Sequence, residues 1–268
     1  MRLIPPPSAS TSGRAVPLAR PTVRRLWFLM ALAALPLPLF AQQQGATGDG
    51  YFFRRPIFSL TLRGGVDRPI AASQIWNFTT TNLTVNKGDF MAPGYQVDLG
   101  IRFSNRTELV VAAGSSQRSA ASEFRKFVDN NDKPIEQTTT IKRTPVTVGI
   151  RYALKAPEER ISRFAWIPSR VTPWVGAGGG AMQYSFSQIG DFVDFQTLNV
   201  FRQTFSSTGW APMAYANAGV DVKLSTRLSL TGDLRYSTAR AALGGKFVGF
   251  DKIDLSGTAA TMGLTVRM

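Results

Sequence analysis

Cysteine and histidine are both absent from this chain of 268 residues. Without cysteine there can be no disulfide framework, and without either residue the common transition-metal sites lack their usual ligands. Histidine is also the side chain that most often transfers protons in catalysis. The composition therefore predicts no metal site and no cofactor, and it argues against an enzyme.

Two carboxylate pairs, Asp191 with Asp194 and Glu158 with Glu159, leave acid–base chemistry formally open. Such chemistry needs a third group that orients the pair and a pocket that excludes water. Neither can be identified near these residues. We interpret both pairs as solvated loop charges.

Beyond residue 41 the chain has no apolar stretch that approaches the roughly 20 residues of a transmembrane helix. The one long apolar run, Leu26 to Ala41, follows two arginines and has the arrangement of a secretory signal peptide. It contains two prolines and is too short for a lasting anchor. Residues 1–41 are therefore predicted to be a cleaved signal peptide, and residues 42–55, rich in Gln, Gly and Asp, a flexible leader.

The chain is basic, and it stays basic after export. Loss of residues 1–41 removes five arginines and no acids, which leaves 26 basic and 17 acidic residues and a net charge of +9. In a cytosolic protein this balance would indicate nucleic acid. In an exported protein it indicates anionic lipid headgroups or the phosphates of lipopolysaccharide, so we expect no nucleic acid partner.

Apolar and polar residues alternate with a period of two in much of the remaining chain, which predicts strands with one apolar face. The clearest segment is Tyr95 to Phe103, where Asp98 and Arg102 lie on the polar face. The eight predicted strands are Ile57 to Gly64, Tyr95 to Phe103, Glu108 to Ser115, Pro145 to Leu154, Val171 to Tyr184, Met213 to Leu224, Arg227 to Tyr236, and Gly257 to the chain end.

Short and long connections alternate between these strands. The short ones are 104–107 and 225–226, the intermediate one is 155–170, and the long ones are 65–94, 116–144, 185–212 and 237–256. Up-and-down membrane barrels with short periplasmic turns and long outer loops have this arrangement. Residues 56–268 are therefore predicted to be an all-β domain, an eight-stranded antiparallel transmembrane β-barrel.

The alternating strands, the loop asymmetry, the stretch Thr172 to Gly178 and the terminal strand resemble the small eight-stranded outer-membrane barrel families, those of the OmpA transmembrane domain, OmpX and OmpW. The resemblance covers residues 56–268. It implies a bacterial outer-membrane location and handling by the outer-membrane insertion machinery. Barrels of these families typically end in an aromatic residue, whereas this chain ends in Met268.

If the apolar faces point outward, charged side chains fill an interior that has room only for the side chains of the barrel itself. A buried charge without a partner is costly, so we predict a network of ion pairs. The alternative is a narrow ion path that opens when pairs exchange. The ten residues are Arg63, Asp98, Arg102, Glu108, Arg151, Asp221, Lys223, Asp233, Arg235 and Arg267.

Aromatic residues occur where an aromatic belt is expected at each membrane interface. The predicted belts consist of Phe164, Trp166 and Trp174 at one rim, and of Tyr184, Phe186, Trp210 and Tyr236 at the other. The glycine run from Gly176 to Gly180 lacks the spacing of a phosphate-binding loop. We interpret it as room for a neighbouring aromatic ring or for strong coiling of the strand.

The third long connection carries four phenylalanines, Phe192, Phe195, Phe201 and Phe205, among polar residues. This pattern indicates that the fifth and sixth strands extend beyond the membrane. The four phenylalanine side chains could dock a partner, line an entrance for an apolar solute, or pack against neighbouring loops.

Three functions remain open at this stage. The leading hypothesis is a non-enzymatic outer-membrane barrel that supports envelope integrity and makes surface contacts through its loops. The second is a porin-like channel or transporter for small or apolar solutes. The third is a soluble periplasmic barrel with reversed faces and an apolar ligand cavity, because alternation alone does not decide which face is outside.

Overall fold

The computed structural model describes residues 51–52, 55–129, 132–162, 165–194, 197, 199–244, 247 and 249–268. The predicted signal peptide and most of the predicted leader lie outside these residues. Within the described ranges, no helix is long and apolar enough to cross a membrane.

The described chain is dominated by antiparallel strands. Its elements are β1 (Tyr51–Phe52), β2 (Phe58–Pro69), α1 (Gln74–Asn82), a 3₁₀ helix (Lys87–Phe90), β3 (Ala92–Arg102), β4 (Thr107–Val128), β5 (Pro134–Ala153), β6 (Glu158–Ser162), β7 (Ala165–Pro168), β8 (Val171–Val193), β9 (Val200–Lys223), β10 (Leu228–Ala241), β11 (Ile253–Asp254) and β12 (Gly257–Arg267). The eight predicted strands correspond to β2, β3, β4, β5, β8, β9, β10 and β12.

These eight strands close into a ring in which sequence neighbours pair and β12 pairs with β2. The pairing can be followed once around the ring from Phe58, through Ile101, Ala216 and Thr258 among others. It returns to β2 at Arg68, ten positions further along that strand. Such a stagger tilts the strands and leaves an interior that side chains fill. The prediction of an eight-stranded antiparallel up-and-down barrel is confirmed.

The ring has two different ends. The turn end carries the tight turns near residues 104–106 and 224–227 and both ends of the barrel chain, and the loop end carries the longer connections. β4, β5, β8 and β9 contain 22, 20, 23 and 24 residues, against 11 to 14 in the other four strands. These four form a wall that extends past the ring at the loop end.

Two of the predicted long loops are wrong, because most of their residues belong to the strands of the wall. Residues 116–144 and 185–212 are mostly strand, and only short connections at residues 129–133 and 194–199 remain. Their outward side chains are mainly polar, so the apolar stripe that marks the other strands is missing, and cross-strand pairing decides the conformation instead. The predicted extension of the fifth and sixth strands is confirmed by β8 and β9.

In the ring the apolar side chains lie on the outer face of the strands, whereas in the wall they lie on the inner face. In the ring part of β5, Val148 and Ile150 point outward and are about half exposed, whereas Arg151 is buried inside. In the wall part of the same strand, Ile135 and Ile141 are the buried side chains. The surroundings of the outer face therefore change from apolar to aqueous part of the way along the strand.

Two connections fold into the space behind the wall and fill it. We call residues 70–91, together with the described part of residues 242–256, the plug. Trp76 lies at its centre, only 1% exposed, and its indole N–H donates to the Asp254 carbonyl over 2.9 Å. Its ring packs edge-on against Phe90 and Phe186, with ring centroids 4.8 and 5.4 Å apart. The plug and the wall thus share one apolar core.

The first prediction concerns this core. Replacing Trp76 by alanine removes a fully buried ring, so we expect the free energy of unfolding to fall by about 3–5 kcal/mol. Urea unfolding of the protein refolded in phospholipid vesicles, followed by circular dichroism, measures the loss. Trp210→Ala is the matched control because that ring is 59% exposed. Equal losses in the two variants would contradict a packed plug.

Candidate functional site

The interior of the ring contains a first cluster of charges around Arg63. Its guanidinium contacts Asp98 at 2.5 Å and Asp233 at 2.9 Å, and the three side chains are each 2% exposed. Asp233 also accepts hydrogen bonds from Asn217 at 2.9 Å and Thr261 at 2.5 Å. One arginine therefore joins strands β2, β3 and β10 across the interior.

A second cluster is built around Asp221 near the turn end. Its carboxylate accepts hydrogen bonds from Arg267 at 2.6 Å, from Thr231 at 2.9 Å and from the Trp174 indole at 3.1 Å. Arg151 lies 3.8 Å from the same carboxylate and stacks over Trp174, with 4.3 Å between the guanidinium carbon and the ring centroid. Four elements of the ring thus converge on one acid.

The remaining charges of the predicted network have various partners. Arg151 reaches Glu108 at 3.5 Å, and Glu108 accepts a hydrogen bond from Ser59. Arg235 donates to Gln96 at 2.8 Å and lies 4.5 Å above the Tyr215 ring. Lys223 lies partly buried where β9 ends.

One network charge has a partner that the sequence analysis did not identify. Arg102 forms an ion pair with Glu158. Glu158 is 1% exposed, so its interpretation as a solvated loop charge is wrong. Glu159 is 69% exposed and pairs only loosely with Lys155 at 3.7 Å, as a solvated charge would. The difference arises because the 155–170 connection folds back onto the mouth of the ring.

That connection forms a small sheet at the turn end, in which β7 pairs with β6 and β1. β1 belongs to the segment that the sequence predicted to be a flexible leader. The Tyr51 hydroxyl donates to the Thr226 carbonyl, and burial raises the pKa of this phenol above its usual value. The small sheet therefore covers part of the turn end and supplies Glu158 to the interior.

A further ion pair, missed by the sequence analysis, joins two strands of the barrel next to the plug. Arg143 contacts Asp67 at 2.8 Å and donates to the Leu255 carbonyl of the plug at 3.3 Å. Ser116 also donates to Asp67, at 2.7 Å. Arg143 has the same strand parity as Arg151, so extending the alternation of the fourth predicted strand by two residues would have found it.

The predicted aromatic belts are wrong at three residues. Trp174, Tyr184 and Phe186 are at most 2% exposed and lie inside the barrel, so their assignment to an interfacial belt was wrong. The cause is the parity of the glycine-rich strand, which has too few large side chains to show which face is apolar. The Trp174 ring occupies the space that a side chain at Gly219 would need.

The structure places the other residues of the predicted aromatic belts in different surroundings. Trp210 and Tyr236 point outward and are 59% and 51% exposed. Trp166 is partly buried in β7, with Arg55 5.8 Å above its ring. Phe164 lies outside the described residues. Further outward aromatic side chains that the prediction omitted are Phe58, Tyr95, Phe103 and Tyr152.

The outer face of the ring is an apolar band. Leu99, Ile150, Leu234 and Met262 are between 52% and 68% exposed there. On β5 the band runs from Tyr152 to Val146 and continues in Leu154 beyond the strand, which matches the roughly 9–11 residues of a membrane-crossing strand. Exposed apolar side chains outside and paired charges inside are the orientation of a transmembrane barrel, opposite to that of the soluble ligand carrier.

The interior is occupied at both levels. The two charge clusters fill the ring, and the plug fills the wall, where the Tyr184 hydroxyl donates to the Ala242 carbonyl at 2.6 Å. A small cavity at the turn end is lined by residues that include Arg102, Arg106, Glu108, Arg151 and Arg267. Among the described residues, no group of three or more histidine, cysteine or acidic side chains is placed to hold a metal ion.

No family model and no curated protein matches the sequence. Among solved structures, the chain is similar to the outer membrane protein OprG of Pseudomonas aeruginosa, at 12% identity and a TM-score of 0.44, over 83% of this chain and 99% of that one. It is also similar to Neisserial surface protein A, at 10% identity and a TM-score of 0.41, over 79% and 97%. A third similar structure is the attachment invasion locus protein Ail of Yersinia pestis, at 12% and 0.39, over 80% and 99%. These values carry no argument about function, and the fold assignment rests on the register of the barrel itself.

The second prediction tests the interior network. Replacing Asp221 by alanine leaves Arg267 buried without its closest partner, so we expect the free energy of unfolding to fall by about 3–5 kcal/mol. The measurement is the urea midpoint in phospholipid vesicles. Glu136→Ala removes the same charge from an exposed position of the wall and should change the midpoint little. A midpoint for Asp221→Ala that equals that of Glu136→Ala would show that the network does not support the fold.

Proposed function

We propose that the chain is a non-enzymatic, sealed barrel of the bacterial outer membrane, which supports envelope integrity and presents a rigid surface for contacts outside the cell. The observation that supports a sealed barrel is the filled interior, with Arg63 and Asp221 clusters in the ring and an aromatic plug in the wall. A conducting barrel of eight strands would need both the ring clusters and the plug to move, because they lie one above the other along the same path.

The location follows from the surface together with the sequence. The apolar band requires lipid around the ring, and the predicted signal peptide provides export. Both ends of the barrel chain lie at the turn end, which is the periplasmic side in barrels of this type. The proposed partners are therefore outer-membrane lipid, lipopolysaccharide and the outer-membrane insertion machinery.

Surface contact is proposed for the wall formed by β4, β5, β8 and β9. Its outer face is largely polar, but Ile189 and Phe201 near its tip are 45% and 42% exposed. Phe192 and Phe205 pack against each other at 4.7 Å, and Phe205 reaches Phe247 of the plug at 6.1 Å. This packing supports a stiff wall, and Phe201 is the member of the group that a surface partner could reach.

The third prediction concerns location. The protein should be recovered with the outer membrane, require detergent for extraction, and migrate differently on a gel before and after heating. The physical reason is that a closed barrel with an apolar exterior stays folded in detergent until it is heated. Recovery in the detergent-free periplasmic fraction would contradict the proposal.

The fourth prediction concerns conductance. In planar bilayers the purified barrel should give no steady single-channel steps, because the ion pairs and the plug leave no continuous path. Steady steps from the unmodified protein would overturn the sealed barrel.

A narrow gated path is the second candidate, and one observation favours it. The buried Nε atoms of Arg63 and Arg235 have no hydrogen-bond partner among the described residues, although the other guanidinium nitrogens of Arg63 contact Asp98 and Asp233. Pairs that are not fully satisfied are the ones that can exchange at least cost. Flickering, voltage-dependent steps that disappear in Arg63→Ala would support this candidate over the sealed barrel.

A further inference from the structure

Three basic side chains point outward from the barrel at the loop end, just beyond the apolar band. Each lies two or four residues past an exposed apolar residue of its own strand. The pairs are Val66 and Arg68 on β2, Val146 and Lys142 on β5, and Tyr236 and Arg240 on β10. We call Arg68, Lys142 and Arg240 the basic rim.

The basic rim lies at nearly one height. Arg68, Thr258 and Tyr236 are directly side by side in the register of β2, β12 and β10. The strands tilt by roughly 40°, so Tyr236 lies lower in the barrel than Arg68 although the two are side by side in the register. Arg240 is four residues closer to the loop end than Tyr236, which brings Arg240 close to the height of Arg68. A residue rises about 2.4 Å along the barrel axis at this tilt, and the three cations then lie within about 4 Å of one another in height.

These cations differ from those inside the barrel because they are exposed and, among the described residues, form no ion pair. The acids adjacent to them, Asp67 next to Arg68 in sequence and Asp254 opposite Arg240 in the strand pairing, have other partners. Asp67 is engaged by Arg143 at 2.8 Å, and Asp254 accepts the Ala72 backbone N–H at 3.1 Å. The rim is therefore uncompensated positive charge at the edge of an apolar band.

The surroundings of the rim fit the headgroup region of a membrane. Tyr236 lies directly below Arg240, and Tyr95 on β3 is 68% exposed below the same edge. Aromatic side chains prefer this depth, where one part of the ring is in lipid and the other in water. Above the rim the outward residues of β5 are Thr140 and Thr138, which marks the change to aqueous surroundings.

From this arrangement we propose that the basic rim binds the phosphates of a bisphosphorylated glycolipid in the outer leaflet. Guanidinium groups form paired, charge-assisted hydrogen bonds with phosphate, and the shared depth places them where lipid phosphates lie. Arg68 and Arg240 are about 16 Å apart along the outer surface of the ring, two strand spacings and four residues. A headgroup with two separated phosphates can engage both, whereas a lipid with one phosphate engages one. The proposal rests on the proposed orientation of the barrel in the outer membrane.

The experiment compares binding of bisphosphorylated lipid A in mixed detergent micelles by the unmodified protein and by the triple variant Arg68→Gln, Lys142→Gln, Arg240→Gln. One headgroup can reach only Arg68 and Arg240, because Lys142 lies three strands away from each of them around the ring. At about 1 kcal/mol for each of these two cations at an anionic surface, affinity at low salt should fall on the order of thirtyfold. Binding by the unmodified protein should also weaken as salt is raised.

The matched control is Lys126→Gln, Lys133→Gln, Arg202→Gln, which removes three exposed cations from the same end but higher on the wall. It should bind lipid A as the unmodified protein does. Equal binding by both triple variants would overturn the proposal. All variants are first checked for the heat-dependent gel shift, so failure of the barrel assignment is detected separately from failure of the rim.

Three further ligands identify the source of the phosphate. Dephosphorylated lipid A and phosphatidylglycerol, in the same micelles, should bind at least tenfold more weakly than bisphosphorylated lipid A. Inorganic phosphate at millimolar concentration should compete only weakly. Equal binding of the dephosphorylated lipid would overturn the role of phosphate, and equal binding of phosphatidylglycerol would overturn the choice of a glycolipid.

Discussion

The closed ladder of backbone hydrogen bonds is the constraint on which the rest of this structure depends. In lipid each backbone N–H and C=O must find a partner within the protein, and a ring of strands without edges meets that requirement. Eight strands with a stagger of ten positions enclose a narrow interior. Charges on the inner face are then too close and too buried to remain single, and the clusters around Arg63 and Asp221 follow from that confinement.

The second organising feature is the change of solvent along the long strands. Within the ring the outer face meets lipid, so apolar residues such as Ile150 are outside and Arg151 is inside. Along the wall the outer face meets water, and the apolar side chains lie on the inner face instead. There α1 and the residues around Asp254 complete the apolar core. Arg143 lies at the transition, where it joins the ring through Asp67 to the plug through Leu255. One protein thus combines a polar interior and an apolar interior, one above the other.

Sequence reasoning succeeded where a strand has large apolar residues on one face. Tyr95 to Phe103 shows its lipid face directly, and the ten interior charges follow from the same parity. It failed where that signal was weak. The glycine-rich start of β8 gave no clear parity, so Trp174 was assigned to the wrong face. The Ser- and Thr-rich segments of β4 and β9 looked like loops because water, rather than lipid, surrounds their outer face.

The sequence by itself determined the strand number, the antiparallel order and which charges share the inner face, because a period of two is a local property that each segment carries alone. Only the tertiary structure decided which charges pair, that Glu158 enters the ring, and that residues 70–91 and 242–256 close the loop end. Those outcomes depend on the stagger of the ring and on contacts between segments more than a hundred residues apart, such as Trp76 with Asp254. No local pattern encodes such distances.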